Sequence, residues 1–145
     1  MARGESGIPS GIHYGMPATE IVCNLKKLTI NVLDKIKAKY PSIIIRSGWR
    51  SEAVNKKYNG AKSSDHLYGR AADIQFPGFT REQYYQAAIE IQKMTPAYKQ
   101  IILEYKGAGT WIHVSYDEKE NRNEVLTMDA TKNVSLKPKG KFILI

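Results

Sequence analysis

The chain has 145 residues and a mass of 16.4 kDa, the size of one domain with a sizeable core and no room for a second catalytic domain. Hydrophobic residues at 42% and charged residues at 25% lie near the globular average, which excludes wholesale disorder and collagen-like or low-complexity classes. A net charge of +8 raises a polyanion as partner, but the lysines are dispersed and no stretch matches a helix-turn-helix, a zinc finger or an aromatic RNA-binding strand, so a solvated basic surface and no nucleic-acid partner are expected.

Taken in chain order, residues 1–16 carry Gly4, Gly7, Gly11, Gly15 and Pro9 with little periodicity and are expected to form a mobile or loosely docked arm, ahead of a single domain over 17–145. The opening MARGESGIPSG has no apolar h-region, so neither a secretory signal nor a membrane span is expected, and synthesis in a cytoplasm is. Ile21, Leu25, Leu28, Val32 and Ile36 recur at helical spacing between Pro17 and Pro41 and predict a long amphipathic helix. Cys23, the single cysteine, is expected on its buried side. Residues 42–47 (SIIIRS) read as a short buried strand, and residues 51–58 as a helix capped by Ser51 and stopped by Asn59-Gly60.

Residues 70–76 alternate, with Ala72, Ile74 and Phe76 on one face and Ala71, Asp73 and Gln75 on the other. Thr80 with Gln83 is a capping box opening a second long helix on Tyr84, Ala87, Ala88, Ile91 and Met94. Residues 100–105 and 111–116 read as a β-hairpin around Lys106-Gly107-Ala108-Gly109, and short strands are expected at 124–128 and 141–145. This order, without regular βαβ alternation, predicts an α+β domain with a mainly antiparallel sheet and two long flanking helices.

Outside the arm only His66 and His113 remain among the histidines, and with Asp73 they form a set suited to a catalytic zinc, which takes three protein ligands and keeps a fourth position open. Residues 66 and 73 are seven apart, so the backbone must turn between them, which Gly69 permits. Taken singly, each residue has a plainer role: a surface or core histidine, or an aspartate paired with Arg50 or Arg46. Three phrases change the reading: Ser47-Gly48-Trp49-Arg50-Ser51, Ser64-Asp65-His66-Leu67-Tyr68-Gly69-Arg70-Ala71-Ala72-Asp73, and Trp111-Ile112-His113-Val114-Ser115.

Through these phrases, over about residues 25–115, the sequence resembles the M15 metallopeptidases. That family includes zinc D-Ala-D-Ala carboxypeptidases, dipeptidases and phage endolysins, on a fold shared with lysostaphin-type enzymes and the hedgehog domain. The pattern S-x-H-x-x-G-x-A-x-D falls on Ser64, His66, Gly69, Ala71 and Asp73. The resemblance implies zinc on His66, Asp73 and His113, Arg50 on a substrate carboxylate or carbonyl oxygen, and Ser64 holding the peptide. Many members place a catalytic Glu three residues before the last His, where this chain has Thr110. The nearest acid is Glu104, which in a pairing opposite His113 would sit on the same side of the sheet and serve as general base; Asp65 is the next candidate.

The substrate the resemblance implies is peptidoglycan stem peptide, cut by a carboxypeptidase or endopeptidase. A compact domain without a signal suggests a bacteriophage endolysin that reaches the wall after holin-type release, or a virion-associated lysin docked on tail or baseplate proteins through the arm. The other reading is a non-catalytic zinc-binding interaction module on the same fold, which the Thr110 departure favours.

Overall fold

A computed structural model describes residues 7–145. The chain enters through a two-strand ribbon, β1 (Ile12–His13) with β2 (Met16–Pro17). This part of the expected arm docks: the Tyr14 N–H donates to Glu52 at 3.2 Å, and the His13 ring meets the Trp49 ring edge-on at 5.0 Å. Residues 1–6, the rest of that arm, lie outside the described residues.

The long helix predicted between the two prolines forms as three consecutive pieces, α1 (Ala18–Leu28), a π-helical turn (Thr29–Leu33) and α2 (Asp34–Lys39). Its buried line is Ile21, Leu28, Val32 and Ile36, as the periodicity requires. Around the π turn, the Thr29 hydroxyl donates to the Leu25 carbonyl and the Asn31 amide to the Lys27 carbonyl, side-chain bonds that compete with the regular helical ladder. Cys23 is exposed, contrary to expectation; it stands two residues, about 200°, around the helix from the buried Ile21.

The six-stranded sheet has the order β3 (Ile44–Ser47), β4 (Ala71–Gln75), β6 (Gly109–Ser115), β5 (Gln100–Lys106), β7 (Glu124–Asp129), β8 (Val134–Ser135). The expected mainly antiparallel sheet is mixed: four of its five pairings are antiparallel, but the chain crosses over β5 after β6 and lays β7 parallel to β5. The predicted buried strand at 42–47 is an edge: among the described residues β3 pairs only with β4, and Ile44 is 49% exposed. The strand expected at 141–145 does not form, since the short β8 takes the edge of β7. The tail is instead fastened by side chains: the Ile143 N–H donates to Thr127 Oγ1, the Tyr105 hydroxyl donates to the Ile143 carbonyl, and Phe142 is buried in the core.

One sheet face packs on α1, α2 and α4 (Arg81–Met94), which opens with the predicted capping box of Thr80 and Gln83. Ala72, Ile74, Ile101, Leu103, Ile112 and Val114 meet Val32, Ile36, Ala88 and Ile91 there. With period two, the opposite face receives Asp73, Ile102, Glu104, Trp111 and His113. The fold therefore gathers the chemistry-bearing side chains of three strands on the face away from the long helices.

Candidate metal centre

His66 lies on a single 3-10 turn, Asp65–Tyr68, between the short helix α3 (Glu52–Lys57) and β4. Ser64 caps this turn, its hydroxyl accepting the His66 N–H at 3.3 Å. Gly69 ends it at φ +72°, and a Cβ there would stand 2.6 Å from the Ile21 carbonyl oxygen, so close packing on α1 and the left-handed turn both call for glycine. The turn reverses the chain into β4 and solves the seven-residue problem of the sequence: His66 and Asp73 converge instead of pointing apart.

Asp73 and His113 are direct cross-strand neighbours on β4 and β6. His113 Nδ1 is 3.0 Å and His66 Nε2 3.3 Å from Asp73 Oδ1, and one ligand atom from each residue falls within 4.8 Å of the others. Two ligands each ~2.1 Å from a tetrahedral zinc would be about 3.4 Å apart. The His66 Nδ1 lies 2.8 Å from the Gly48 carbonyl oxygen. Because a carbonyl only accepts, Nδ1 carries the proton and Nε2 turns its lone pair toward the cluster. The donor set and its orientation fit a divalent metal of the zinc type.

Electrostatics hold the carboxylate of the cluster in its ligating form and favour a proton on His113 until a metal displaces it. Burial alone would push the Asp73 carboxyl up, but His66 and His113 beside it outweigh that and hold it well below the usual carboxylate range. Burial likewise opposes charge on His113, and the hydrogen-bonded Asp73 overcomes it and raises the imidazole above its ordinary value. Arg50 closes the far side: Nη2 is 3.2 Å from Asp73 Oδ2, Nε donates to Ser47 Oγ at 2.9 Å, and its backbone N–H donates to the His66 carbonyl at 3.1 Å. Of the two arginines open to pairing with Asp73, Arg50 is the partner. Trp49, whose indole N–H donates to the Leu67 carbonyl at 3.0 Å, ties the same two segments together.

Glu104 stands on the same face but not opposite His113. The hairpin turns through two residues, with Lys106 paired to Gly109, so Glu104 faces Trp111 and Ile102 faces His113. A register shift of two preserves the face and changes the neighbour; Gly107, at φ +58°, supplies the backbone that the tight turn needs. Glu104 Oε2 accepts the Trp111 indole N–H at 2.8 Å. Burial pushes its carboxyl above the ordinary value, against the pull of His113 and with the push of Asp73, which suits a group that exchanges a proton near neutrality. Trp111 was visible in the sequence as part of a motif but not as the holder of Glu104; the length of the turn is the signal that would have revealed it.

Thr110 is buried on the core-facing side of β6, opposite Tyr105. No side chain at that position could reach the cluster from a regular strand, so the missing Glu there has no bearing on this site. Asp65 is engaged elsewhere, its Oδ1 2.9 Å from Lys99 Nζ.

Two imidazoles and a carboxylate converging from three elements, with a further acid on the same face, form a site of the metallohydrolase class. The model of the family Peptidase M15 matches residues 7–115, which include every candidate site residue, and the chain belongs to that family of metallopeptidases. The chain matches none of the curated proteins with which it was compared.

Proposed function

We propose that the protein is a zinc-dependent hydrolase of peptide bonds in peptidoglycan stem peptides, acting as a carboxypeptidase or endopeptidase. The observation that carries this reading is the convergence of His66, Asp73 and His113 on one point with Glu104 on the same sheet face, in a chain of the M15 family. His66, Asp73 and His113 would hold the zinc ion, which when bound would supply Lewis acidity toward water and the scissile carbonyl. Glu104, kept protonatable by burial, takes a proton from the attacking water and returns it to the leaving amine. Arg50 has N–H groups beyond those held by Asp73 and Ser47 and offers them to a substrate carboxylate or to the oxyanion. Ser64, whose hydroxyl caps the His66 turn, holds the peptide beside it.

The net charge of +8 suits a wall rich in phosphate and carboxylate groups. A wall substrate places the site of action at the bacterial cell wall, reached as a phage endolysin through a holin or as a virion component docked by the N-terminal segment. Purified walls incubated with the protein should lose turbidity and release fragments whose masses reveal the bond cut, and a chelator should abolish both. Intact walls at full metal occupancy would overturn the reading and favour the non-catalytic zinc module.

A further inference from the structure

We infer that Arg46, lying on Trp111, forms a carboxylate-binding subsite one side-chain row from the metal centre, and that the substrate carries a carboxylate one to two residues from the bond that is cut. This deepens the hydrolytic reading above and rests on it for the identity of the ligand.

The first observation is an irregularity in β3. Ile45 pairs with Ile74 on the core side and Ser47 with Asp73 on the site side, so the register shifts and Arg46 is the extra residue of a bulge. On a regular strand Ile45 and Ser47 would share a face. The bulge breaks that rule and brings Ser47 to the site side beside Arg46, which alternation after the core-facing Ile45 already directs there, a common use of bulges beside functional centres.

The second is the destination of the guanidinium. Arg46 Cζ lies 4.1 Å from the centroid of the Trp111 ring, which belongs to β6 on the far side of β4. The side chain thus reaches across a strand to lie on an aromatic face, held by its quadrupole.

The third is the absence of an acceptor. Of the described arginines, Arg50, Arg70 and Arg122 are held by carboxylates and Arg81 donates to the Gly107 carbonyl. Among the described residues Arg46 alone has neither, although it is half-buried. A stacked guanidinium keeps its N–H edge free, and that edge matches a carboxylate in two-point geometry. Trp111, in turn, is tied to Glu104, so a ligand on Arg46 is placed in register with the acid.

Trp111 is two residues from His113 on one face, about 7 Å along the strand. An extended peptide covers that in about two residues. Two sources would supply the carboxylate: a free C-terminus, or an acidic side chain.

The test compares zinc-loaded wild type with Arg46→Met and Arg46→Lys on three stem-type peptides: the free acid, its C-terminal amide, and the form with its acidic side chain amidated. Wild type should prefer one acid over its amide about 10- to 100-fold in kcat/KM, the range of a charge-assisted pair. Which amidation costs activity identifies the source. Both variants should reduce that preference toward one, mainly through KM, with Lys restoring only part of it because it offers a point charge. A second measurement is independent of turnover: titration of tryptophan fluorescence with N-acetyl-D-alanine and with its amide. Arg46→Met should weaken binding of the acid and not of the amide. Equal loss on all peptides, or an acid-over-amide binding ratio the same in wild type and Arg46→Met, would overturn the subsite. If wild type cuts no peptide yet the binding ratio falls in Arg46→Met, the hydrolytic reading fails and the subsite stands.

Discussion

Arg50 and Asp73 form a partly buried ion pair, with Nη2 3.2 Å from Oδ2, and this leaves Oδ1 of the same carboxylate to the two imidazoles at 3.0 and 3.3 Å. One guanidinium thereby fixes which oxygen faces the metal position. Replacing Arg50 by Lys keeps charge but loses the fork that spans Asp73 and Ser47. We expect kcat/KM to fall on the order of tenfold to a thousandfold, about 1.4 to 4 kcal/mol, with metal affinity weakened by up to ~100-fold as Asp73 loses its support. Kinetics on a muropeptide and a zinc titration check both; wild-type values in the two would remove Arg50 from the site's function.

One zinc per chain is expected, bound by His66, Asp73 and His113. Elemental analysis of His66→Ala, Asp73→Asn and His113→Ala should show the ion lost in each, since three protein ligands leave none to spare. Retained stoichiometry in any variant would strike that residue from the ligand set.

Glu104→Gln separates metal binding from proton transfer. The amide still accepts the Trp111 indole N–H now held at 2.8 Å, so folding and zinc content should survive, while hydrolysis falls roughly a hundredfold to ten-thousandfold. Activity within a few-fold of wild type would mean that another group moves the proton.

The metal-free protein should release a proton when it takes up zinc. His113 is raised above the ordinary imidazole value by the Asp73 carboxylate despite its burial, so it keeps its proton to higher pH than a free imidazole and the ion must displace that proton; Asp73, held well below the usual carboxylate range, contributes none. Affinity should therefore weaken as pH falls. Calorimetry at pH 7 in buffers of different ionisation enthalpy should show net proton release on zinc binding, and a slope of zero would contradict the assignment.

Gly69→Ala should destabilise the domain. The residue sits at φ +72° with the Ile21 carbonyl 2.6 Å from where a Cβ would be, and alanine in a left-handed position costs at least ~1 kcal/mol before any clash. Thermal unfolding should shift down by several degrees, about 2–4 °C for each kcal/mol. An unchanged midpoint would show that α1 moves away at no cost.

Much of this molecule is set within short stretches of sequence. The spacing of Ile21, Leu28, Val32 and Ile36 decides which side of α1 and α2 is buried, Thr80 and Gln83 decide where α4 begins, and the phrase from Ser64 to Asp73 with His113 names the three side chains that converge in the candidate metal centre. Periodicity and capping act over a few residues, so they can be read without knowing the fold. The tertiary structure decided the relations between distant segments: β7 parallel to β5, Glu104 opposite Trp111 instead of His113, the exposed edge at Ile44, and Arg50 rather than Arg46 on Asp73. Strand pairing and the choice of acceptor by a guanidinium depend on which elements meet in space. Two arginines four positions apart look alike in the sequence; Arg46, on the site face of β3, reaches an indole across β4, and Arg50, just before the start of α3, reaches a carboxylate.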